Sequence, residues 1–318
     1  MFNNIYKKLS MATLAATLIL PTSLAFSKNT SDTIKIVENN WTSQLILSRI
    51  IGNVLKSEGF KVEFVPSDTQ LQFTAMGNGD MHLQMEVWEG SHHKAFSKQL
   101  KKKRMIEIVQ YKAVTREDWW YPTYMEEICP GLPDWKALNK CAEKFSTLET
   151  APKGRYLAGP ADWGKPDQER IDALKLDFEL VNAGTAAALT AELASAYKRK
   201  EPIVLFNWTP NWVEAKYKGK YVDFPKFDPK CHSDPSWGLN KDATHDCGTE
   251  AKGYLKMAAW SGFNAKWPSA YKILKNVDFT NPQIASVALL VDVDGLTAQK
   301  AADKWMKDNK SIWTKWVK

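Results

Sequence analysis

The sequence predicts an α/β protein built from two lobes, each with a mostly parallel sheet flanked by helices. Two observations predict this fold. Strand and helix patterns alternate along the chain, which is typical of parallel strands joined by helical crossovers, and this alternation occurs twice. The 318 residues are enough for two such units.

The elements follow from the spacing of apolar residues and from the turn residues between them. Residues 34–37 predict a short strand, and residues 43–57 carry apolar side chains at helical spacing until Gly59 ends the pattern. The predicted strands cover residues 34–37, 61–65, 81–87, 154–158, 178–181 and 203–206. The predicted helices cover residues 43–57, 69–76, 166–174, 183–198, 268–275, 282–290 and 297–307.

The C-terminal third is predicted to be helical and to pack back on the first lobe. Its tryptophans fall in segments interpreted as helical and are assigned to packing: Trp260, Trp267, Trp305, Trp313 and Trp316. The chain is expected to cross between lobes near residues 111–115 and near residues 216–221. The first lobe would then comprise residues 28–112 and 219–318, and the second lobe residues 113–218.

The N-terminus has the pattern of a secretory signal peptide. Lys7 and Lys8 precede an apolar stretch at residues 11–20, and small residues follow up to residue 27. We therefore expect residues 1–27 to be a cleaved signal and the mature protein to be soluble and exported to the periplasm. Because no cysteine lies near the cleavage region, we expect no lipid anchor.

The four cysteines suit an oxidising compartment because they are few, even in number and arranged in two local pairs. Three pairings are possible. The local pairing, Cys129 with Cys141 and Cys231 with Cys247, is preferred because both intervening segments are rich in turn residues. The spacing does not match a structural zinc site, so no metal is predicted.

Charge and motifs argue against several function classes. The formal charge of +7 comes from 43 basic against 36 acidic residues and is spread along the chain, which does not favour a nucleic-acid partner. The chain has no P-loop, GxGxxG, GxSxG or HExxH motif. We therefore predict a binding protein without a cofactor rather than an enzyme.

Tryptophan is the most informative residue type, with 14 in the chain. Trp41, Trp88, Trp163 and Trp208 each follow or end a predicted strand, where ligands of open α/β sheets bind. The segment DWWY at Asp118 adds further aromatic rings near the predicted crossing. Indole faces from two lobes suit a compact cation without N–H donors, such as a methylated ammonium group. Core packing is the alternative for any single tryptophan.

Four segments carry a family resemblance: NNWTS at Trp41, MEVWEG at Trp88, GPADWG at Trp163 and FNWTPNW at Trp208. They resemble the ligand-box motifs of periplasmic binding proteins of ABC importers for glycine betaine, choline and trimethylamine N-oxide, and most of all those of the trimethylamine N-oxide binders. The resemblance covers nearly the whole mature chain. It implies a two-lobed periplasmic binding protein fold, type II-like, whose lobes close over the ligand.

The resemblance also implies the residues of the site. Trp41 and Trp88 would come from the first lobe and Trp163 and Trp208 from the second, with Trp119 as a further wall. The ligand oxygen would need donors, and the candidates are Asn40, Thr42, Ser43, backbone N–H groups, or a protonated glutamate among Glu86, Glu117 and Glu127. Choline is disfavoured because Ser43 stands where choline binders of this type have an aspartate.

The expected function is capture of trimethylamine N-oxide and its delivery to an ABC permease with a separate ATPase, by a protein acting as a monomer. Glycine betaine, or another betaine-like osmolyte, is the alternative within the family. A secreted carbohydrate-active enzyme is the alternative from another class, because tryptophan platforms also stack on sugars. That enzyme would need two carboxyl groups flanking one site.

Overall fold

The structure is a computed structural model that describes residues 30–318; the predicted signal segment lies outside the described residues. The strands are β1 Ile34–Glu38, β2 Val62–Pro66, β3 Leu83–Trp88, β4 Met105–Pro122, β5 Gly154–Ala158, β6 Phe178–Asn182, β7 Val204–Thr209, β8 Gly219–Tyr221 and β9 Gly253–Trp260. Together they form a sheet with the order β2-β1-β3-β9-β4-β7-β5-β6, and β8 pairs with β4.

Helices flank this sheet. They are α1 Thr42–Ser57, α2 Gln72–Asn78, α3 Glu89–Lys101, α4 Met125–Ile128, α5 Trp135–Lys140, α6 Asp167–Leu174, α7 Ala186–Arg199, α8 Val213–Lys216, α9 Phe263–Lys266, α10 Pro268–Leu274, α11 Asn281–Asp292, α12 Ala298–Asp308 and α13 Lys310–Trp313. Short 3₁₀ helices cover Ala142–Phe145, Ala161–Trp163 and Pro229–His232. The predicted α/β class is confirmed, and each predicted strand and helix has a counterpart within a few residues of its predicted ends.

Each lobe contains a parallel unit. β1 pairs in parallel with β2 and β3 in the first lobe, and β5 pairs in parallel with β6 and β7 in the second. Antiparallel strands join the two units, because β9 pairs with both β3 and β4, and β4 pairs with β7. The carboxyl ends of the parallel strands of each lobe therefore meet at one edge of its sheet.

The long strand β4 passes from one lobe to the other. Its residues Met105–Thr115 pair with β9, and residues 116–120 pair with β7. The first crossing thus lies within one 18-residue strand, next to the predicted residues 111–115. An unbroken strand connects the lobes more directly than a loop, because its ladder hydrogen bonds continue on both sides of the crossing.

The return crossing differs from the prediction. β8 pairs with β4 in the second lobe, and Thr249 N donates to Asp118 Oδ2 at 3.1 Å. These contacts place residues 219–249 in the second lobe, and the chain returns to the first lobe just before β9. On this basis we assign residues 30–115 and 253–318 to the first lobe and residues 116–249 to the second. The predicted return at residues 216–221 coincides with β8, and the antiparallel strand β9 was not predicted.

The core of the first lobe extends to the C-terminus. The apolar face of α1 is buried and contacts α11 and α12, so the C-terminal third packs on the first lobe as predicted. Trp305 stacks with Trp316 at 6.0 Å between ring centroids. Trp260 is an exception to the helical assignment, because it ends strand β9 and packs against His82 at 6.0 Å.

Two disulfides close local loops, Cys129 with Cys141 and Cys231 with Cys247, so the preferred pairing is confirmed. The Cα atoms of the two pairs are 6.0 Å and 6.3 Å apart. Within residues 30–318, no helix is both long enough and apolar enough to span a bilayer.

Candidate functional site

The first-lobe wall of the cleft consists of two tryptophans at strand ends. Trp41 is the residue before α1 and comes shortly after β1, and Trp88 ends β3 and directly precedes α3. Because β1 and β3 are parallel neighbours, their carboxyl ends bring Trp41 and Trp88 together. Both side chains are buried, with exposed fractions of 5% and 4%.

The second-lobe wall consists of Trp163, Trp208 and Phe206. Trp163 lies in the 3₁₀ helix that follows β5, and Phe206 and Trp208 lie on the same face of β7 because they are two residues apart. Trp208 meets Trp163 edge-on at 5.3 Å and stacks with Phe206 at 5.8 Å between ring centroids. Trp163 in turn meets Trp41 of the first lobe edge-on at 6.0 Å.

These walls enclose a cavity between the lobes. The space measures about 290 Å³, including the part open to solvent. The residues that line it are Trp41, Thr69, Trp88, Ser91, His92, Glu117, Trp163, Phe206 and Trp208. Most of this surface is aromatic, with polar groups on one part of the lining. A cavity of this kind suits a small ligand with an apolar or cationic body and one polar end.

The polar part of the lining is organised around Glu117. Its carboxylate accepts a hydrogen bond from Ser91 N at 3.2 Å and another from Ser91 Oγ. Ser91 lies in the first turn of α3, where the helix dipole favours a negative charge. Gly90 allows this approach, since a Cβ at that position would overlap Glu117 Oε2. Lys165 Nζ lies 4.0 Å from Glu117 Oε1.

His92 contributes a neutral ring to the cavity. Its Nδ1 accepts a hydrogen bond from Trp88 N at 3.1 Å, and its ring lies 5.8 Å from that of Trp41. Burial lowers the pKa of His92 to about 3, and the charge of Lys165 acts in the same direction. The imidazole therefore adds no positive charge to the cavity near neutral pH.

Glu86 lies behind the first-lobe indoles and does not line the cavity. Its Oε2 accepts three hydrogen bonds, from Trp41 Nε1 at 2.6 Å, Trp88 Nε1 at 3.0 Å and Ser43 Oγ at 3.1 Å. The side chain is fully buried. Burial raises the pKa of Glu86 to about 7, against the lowering effect of these three donors.

Hydrogen bonds join the two lobes on one side of the cavity. Trp163 Nε1 donates to Asn40 Oδ1 at 2.7 Å, and Asn40 Nδ2 lies 3.3 Å from both carboxylate oxygens of Asp162. Thr69 Oγ1 also donates to Asp162 Oδ2, at 2.9 Å. Asn40 and Thr69 belong to the first lobe and Asp162 and Trp163 to the second, so the structure shows the closed arrangement.

A second connection lies at the end of α11. Asp292 accepts hydrogen bonds from Thr42 Oγ1 and from Trp212 Nε1, each at 2.6 Å. Trp212 follows β7 in the second lobe, whereas Thr42 and Asp292 belong to the first. Burial raises the pKa of Asp292 above the usual range of an aspartate, although both donors lower it.

The structure brings four of the five predicted tryptophans to the cavity. Trp119 is elsewhere: it is fully buried and stacks face to face on Tyr156 at 3.7 Å, and its Nε1 donates to Asp167. A ring covered in this way presents no free face to the cavity, so the structure does not bring Trp119 to the aromatic lining.

Several of the predicted oxygen donors lie away from the cavity lining, although Glu117 is part of it. Glu127 is exposed on α4 and does not line the cavity. Ser43 donates to Glu86, and Asn40 bonds Trp163. Ser43 therefore supports the first-lobe wall from behind, and Asn40 holds Trp163 across the lobes.

Sequence reasoning missed several residues that line the cavity: Thr69, Ser91, His92 and Phe206. A signal for Phe206 was available, since it is two residues before Trp208 in a predicted strand and so shares its face. Glu117 was named as one of three candidate glutamates, and it lines the cavity. Its approach to α3 depends on contacts between distant segments, which the sequence does not reveal.

A grouping of side chains of metal-binding type occurs at Cys231, His232 and Cys247 in the described part of the chain. The two sulfurs are bonded to each other, so they are not available as thiolate ligands. This grouping therefore does not form a metal centre.

The two lobes, the β4 connection and the aromatic cavity between them define a two-lobed solute-binding protein. The sequence comparison supports this class: the family described as the substrate binding domain of ABC-type glycine betaine transport systems matches residues 32–308. The chain belongs to this family. Its members are substrate-binding components of transporters, so the prediction of a binding protein rather than an enzyme is confirmed.

Individual relatives agree with this assignment. The trimethylamine N-oxide-binding protein of Pelagibacter ubique (strain HTCC1062) is 38% identical over 315 residues, which cover 96% of this chain and 98% of the relative. The crystal structure of lactococcal OpuAC, closed and complexed with glycine betaine, has a TM-score of 0.68 and 20% identity, covering 90% of this chain and 100% of that one. The glycine betaine/L-proline-binding protein ProX from Borrelia burgdorferi has a TM-score of 0.72 and 18% identity, covering 90% and 97%. These two structures support the fold.

Proposed function

We propose that this protein captures trimethylamine N-oxide in the aromatic cavity by closure of its lobes and delivers it to the permease of an ABC importer. The observation that carries the proposal is the meeting of Trp41 and Trp88 of the first lobe with Trp163 and Trp208 of the second around one space. The 38% identity to a trimethylamine N-oxide-binding protein supports this choice of ligand.

The aromatic lining favours a methylated ammonium group. Such a group has no N–H donors and needs no hydrogen-bond acceptors, and its positive charge is attracted to indole faces by about 0.5 to 2 kcal/mol per ring when desolvated. A primary ammonium would need several acceptors, which the four indoles do not supply. Glu117 adds a negative charge on the same lining.

The oxygen of the ligand would face the polar lining beside Ser91 and His92, whereas the Glu117 carboxylate favours the positively charged nitrogen and its methyl groups. A trimethylamine N-oxide has a single oxygen on the nitrogen, so its polar and methyl ends are separated by one bond and fit a cavity with one small polar patch. Choline is disfavoured because Ser43 stands where choline binders of this type have an aspartate. In the structure, the Ser43 hydroxyl donates to Glu86.

Lobe closure is the step that captures the ligand. The ligand touches all four indoles only when the lobes are together, so binding shifts the population toward the closed form. The hydrogen bonds from Trp163 to Asn40 and from Trp212 to Asp292 form in the same closed arrangement. Both stabilise it, and the bond to Asn40 orients the Trp163 indole of the cavity.

Glycine betaine is the second candidate ligand, because the matching family is described by that substrate and the ligand has the same trimethylammonium group. A carbohydrate-active enzyme is not supported, since Glu117 is the one carboxyl side chain among the residues that line this cavity and glycoside hydrolysis needs a pair.

We further propose that the protein works in the periplasm as a monomer, with its permease and ATPase as separate components.

Titration calorimetry with trimethylamine N-oxide, glycine betaine and choline tests the proposal. We expect saturable binding of one molecule of the N-oxide per chain, weaker binding of glycine betaine and little heat from choline. Tightest binding of glycine betaine would replace the proposed ligand while keeping the site. No binding of any of the three would refute the proposed function.

A further inference from the structure

Glu86 is the buried carboxyl group on which the first-lobe wall depends. It lies two residues before Trp88 on β3, so its side chain and the indole share one face of the strand. Its Oε2 is the common acceptor for the N–H groups of Trp41 and Trp88. The two indoles are thus held by one oxygen atom, and their outer faces line the cavity.

The surroundings of Glu86 do not contain a cation that pairs with it. Among residues 30–318, Glu86 takes part in no ion pair, and its Oε1 is buried without a hydrogen-bond partner. Three other titratable groups face this region. His92 on α3 is neutral, Tyr111 on β4 donates its hydroxyl to Met85 O, and Lys165 is held by Glu117.

We propose that Glu86 is a positioning residue that fixes the two first-lobe indoles and, when ionised, places the negative charge behind them that favours a cationic ligand in front. The proposal rests on the proposed function for the nature of the ligand. Its structural part, the shared contact with two indoles, is independent of which ligand binds.

The physical basis is electrostatic. A carboxylate that accepts an indole N–H makes a charge-assisted hydrogen bond and increases the electron density of the ring, which strengthens the attraction of the ring face for a cation. The charge also attracts the ligand directly through the low-dielectric interior. The positively charged nitrogen of the ligand would lie opposite the charge for which Glu86 has no partner cation in the protein alone.

A pH dependence follows from this arrangement. Because burial raises the pKa of Glu86 to about 7 in the unliganded protein, the carboxyl is mostly protonated below that value and mostly ionised above it. A bound cation favours the ionised form, so affinity should increase as pH rises from about 6 to about 8. His92, with a pKa of about 3, and Tyr111, with a pKa well above 10, keep their protonation states over this range.

Nuclear magnetic resonance of protein labelled with ¹⁵N in its indoles tests the contact directly. In the unliganded wild-type protein, we expect the Nε1–H resonances of Trp41 and Trp88 to shift together with pH, with one shared midpoint close to 7. The Nε1–H of Trp119, bonded to Asp167 instead, should not follow that midpoint. Resonances of Trp41 and Trp88 that move with different midpoints, or one that moves while the other stays constant, would overturn the shared contact. If both stay constant, Glu86 keeps one protonation state over this range, and the affinity of Glu86→Gln decides the role of its charge.

The variant Glu86→Gln tests the charge. Its side chain has nearly the same volume and keeps an acceptor oxygen, so we expect an intact fold, about tenfold weaker binding of trimethylamine N-oxide at about pH 8, and loss of the pH dependence of affinity. Asp167→Asn is the matched control, since it makes the same change at a buried carboxylate that accepts the Trp119 indole outside the cavity. It should leave the affinity unchanged.

The outcomes separate the two claims. Unchanged affinity and an unchanged pH profile in Glu86→Gln would overturn the role of the charge. If trimethylamine N-oxide fails to bind the wild-type protein, the proposed function fails, and the shared midpoint of Trp41 and Trp88 still tests the contact. If Glu86→Gln does not fold, the wild-type resonances and the wild-type pH dependence of binding decide the question.

Discussion

Replacement of Trp208 by Ala gives the sharpest mutational test of the cavity. Trp208 forms one wall, meets Trp163 edge-on at 5.3 Å and stacks with Phe206 at 5.8 Å. The variant loses one indole face, worth about 0.5 to 2 kcal/mol for a desolvated cation. It also loses the ring contact that holds Trp163 in place, worth about 0.5 to 1.5 kcal/mol. Together these amount to about 1 to 3.5 kcal/mol, or a roughly 5-fold to 400-fold weaker Kd.

Titration calorimetry of Trp208→Ala with trimethylamine N-oxide measures this loss. Because Trp208 is only partly buried, we expect the variant to fold and to unfold cooperatively. Trp313→Ala is the control: this indole belongs to α13, donates to Met306 O at 2.8 Å and does not line the cavity. An affinity of Trp208→Ala within about threefold of the wild type, with Trp313→Ala equally unaffected, would refute the aromatic box.

Three further changes have defined outcomes. Gly90→Ala should displace the Glu117 carboxylate and weaken ligand binding, with little change in thermal unfolding; equal affinity in calorimetry would contradict the placement of Glu117. Asp292→Asn should weaken the contact between the lobes and increase the radius of gyration of the unliganded protein in small-angle X-ray scattering. Serine at both Cys231 and Cys247 should lower the free energy of unfolding by about 3 kcal/mol, measured with denaturant, because a 16-residue loop is released.

The sequence was most informative where spacing decides structure. The apolar period of α1 and the alternation of β1, α1, β2, α2 and β3 predicted the first parallel unit nearly to the residue, and the second unit followed in the same way. Trp41, Trp88, Trp163 and Trp208 could be found because each lies at or next to a strand end, and strand ends of parallel sheets share an edge.

Other features depend on contacts that the sequence does not encode locally. β4 and β9 are antiparallel and pair over a long register. Their charged and aromatic residues give no simple strand pattern, so neither strand was predicted from the sequence. Trp119 resembles the other cleft tryptophans in sequence, yet its ring is covered by Tyr156. Glu86 was expected to contact the ligand, whereas its three donors place it behind the indoles.

The central claim is that the indole faces select a positive charge, and a neutral ligand of the same shape tests it most directly. Tert-butanol has three methyl groups and one oxygen around its central atom, as trimethylamine N-oxide has, but carries no formal positive charge. The two compounds should be compared by calorimetric titration and by competition. We predict saturable binding of the N-oxide and no competition from tert-butanol at about a hundredfold excess. Equal binding of both would contradict the account, since the cavity would then recognise shape alone.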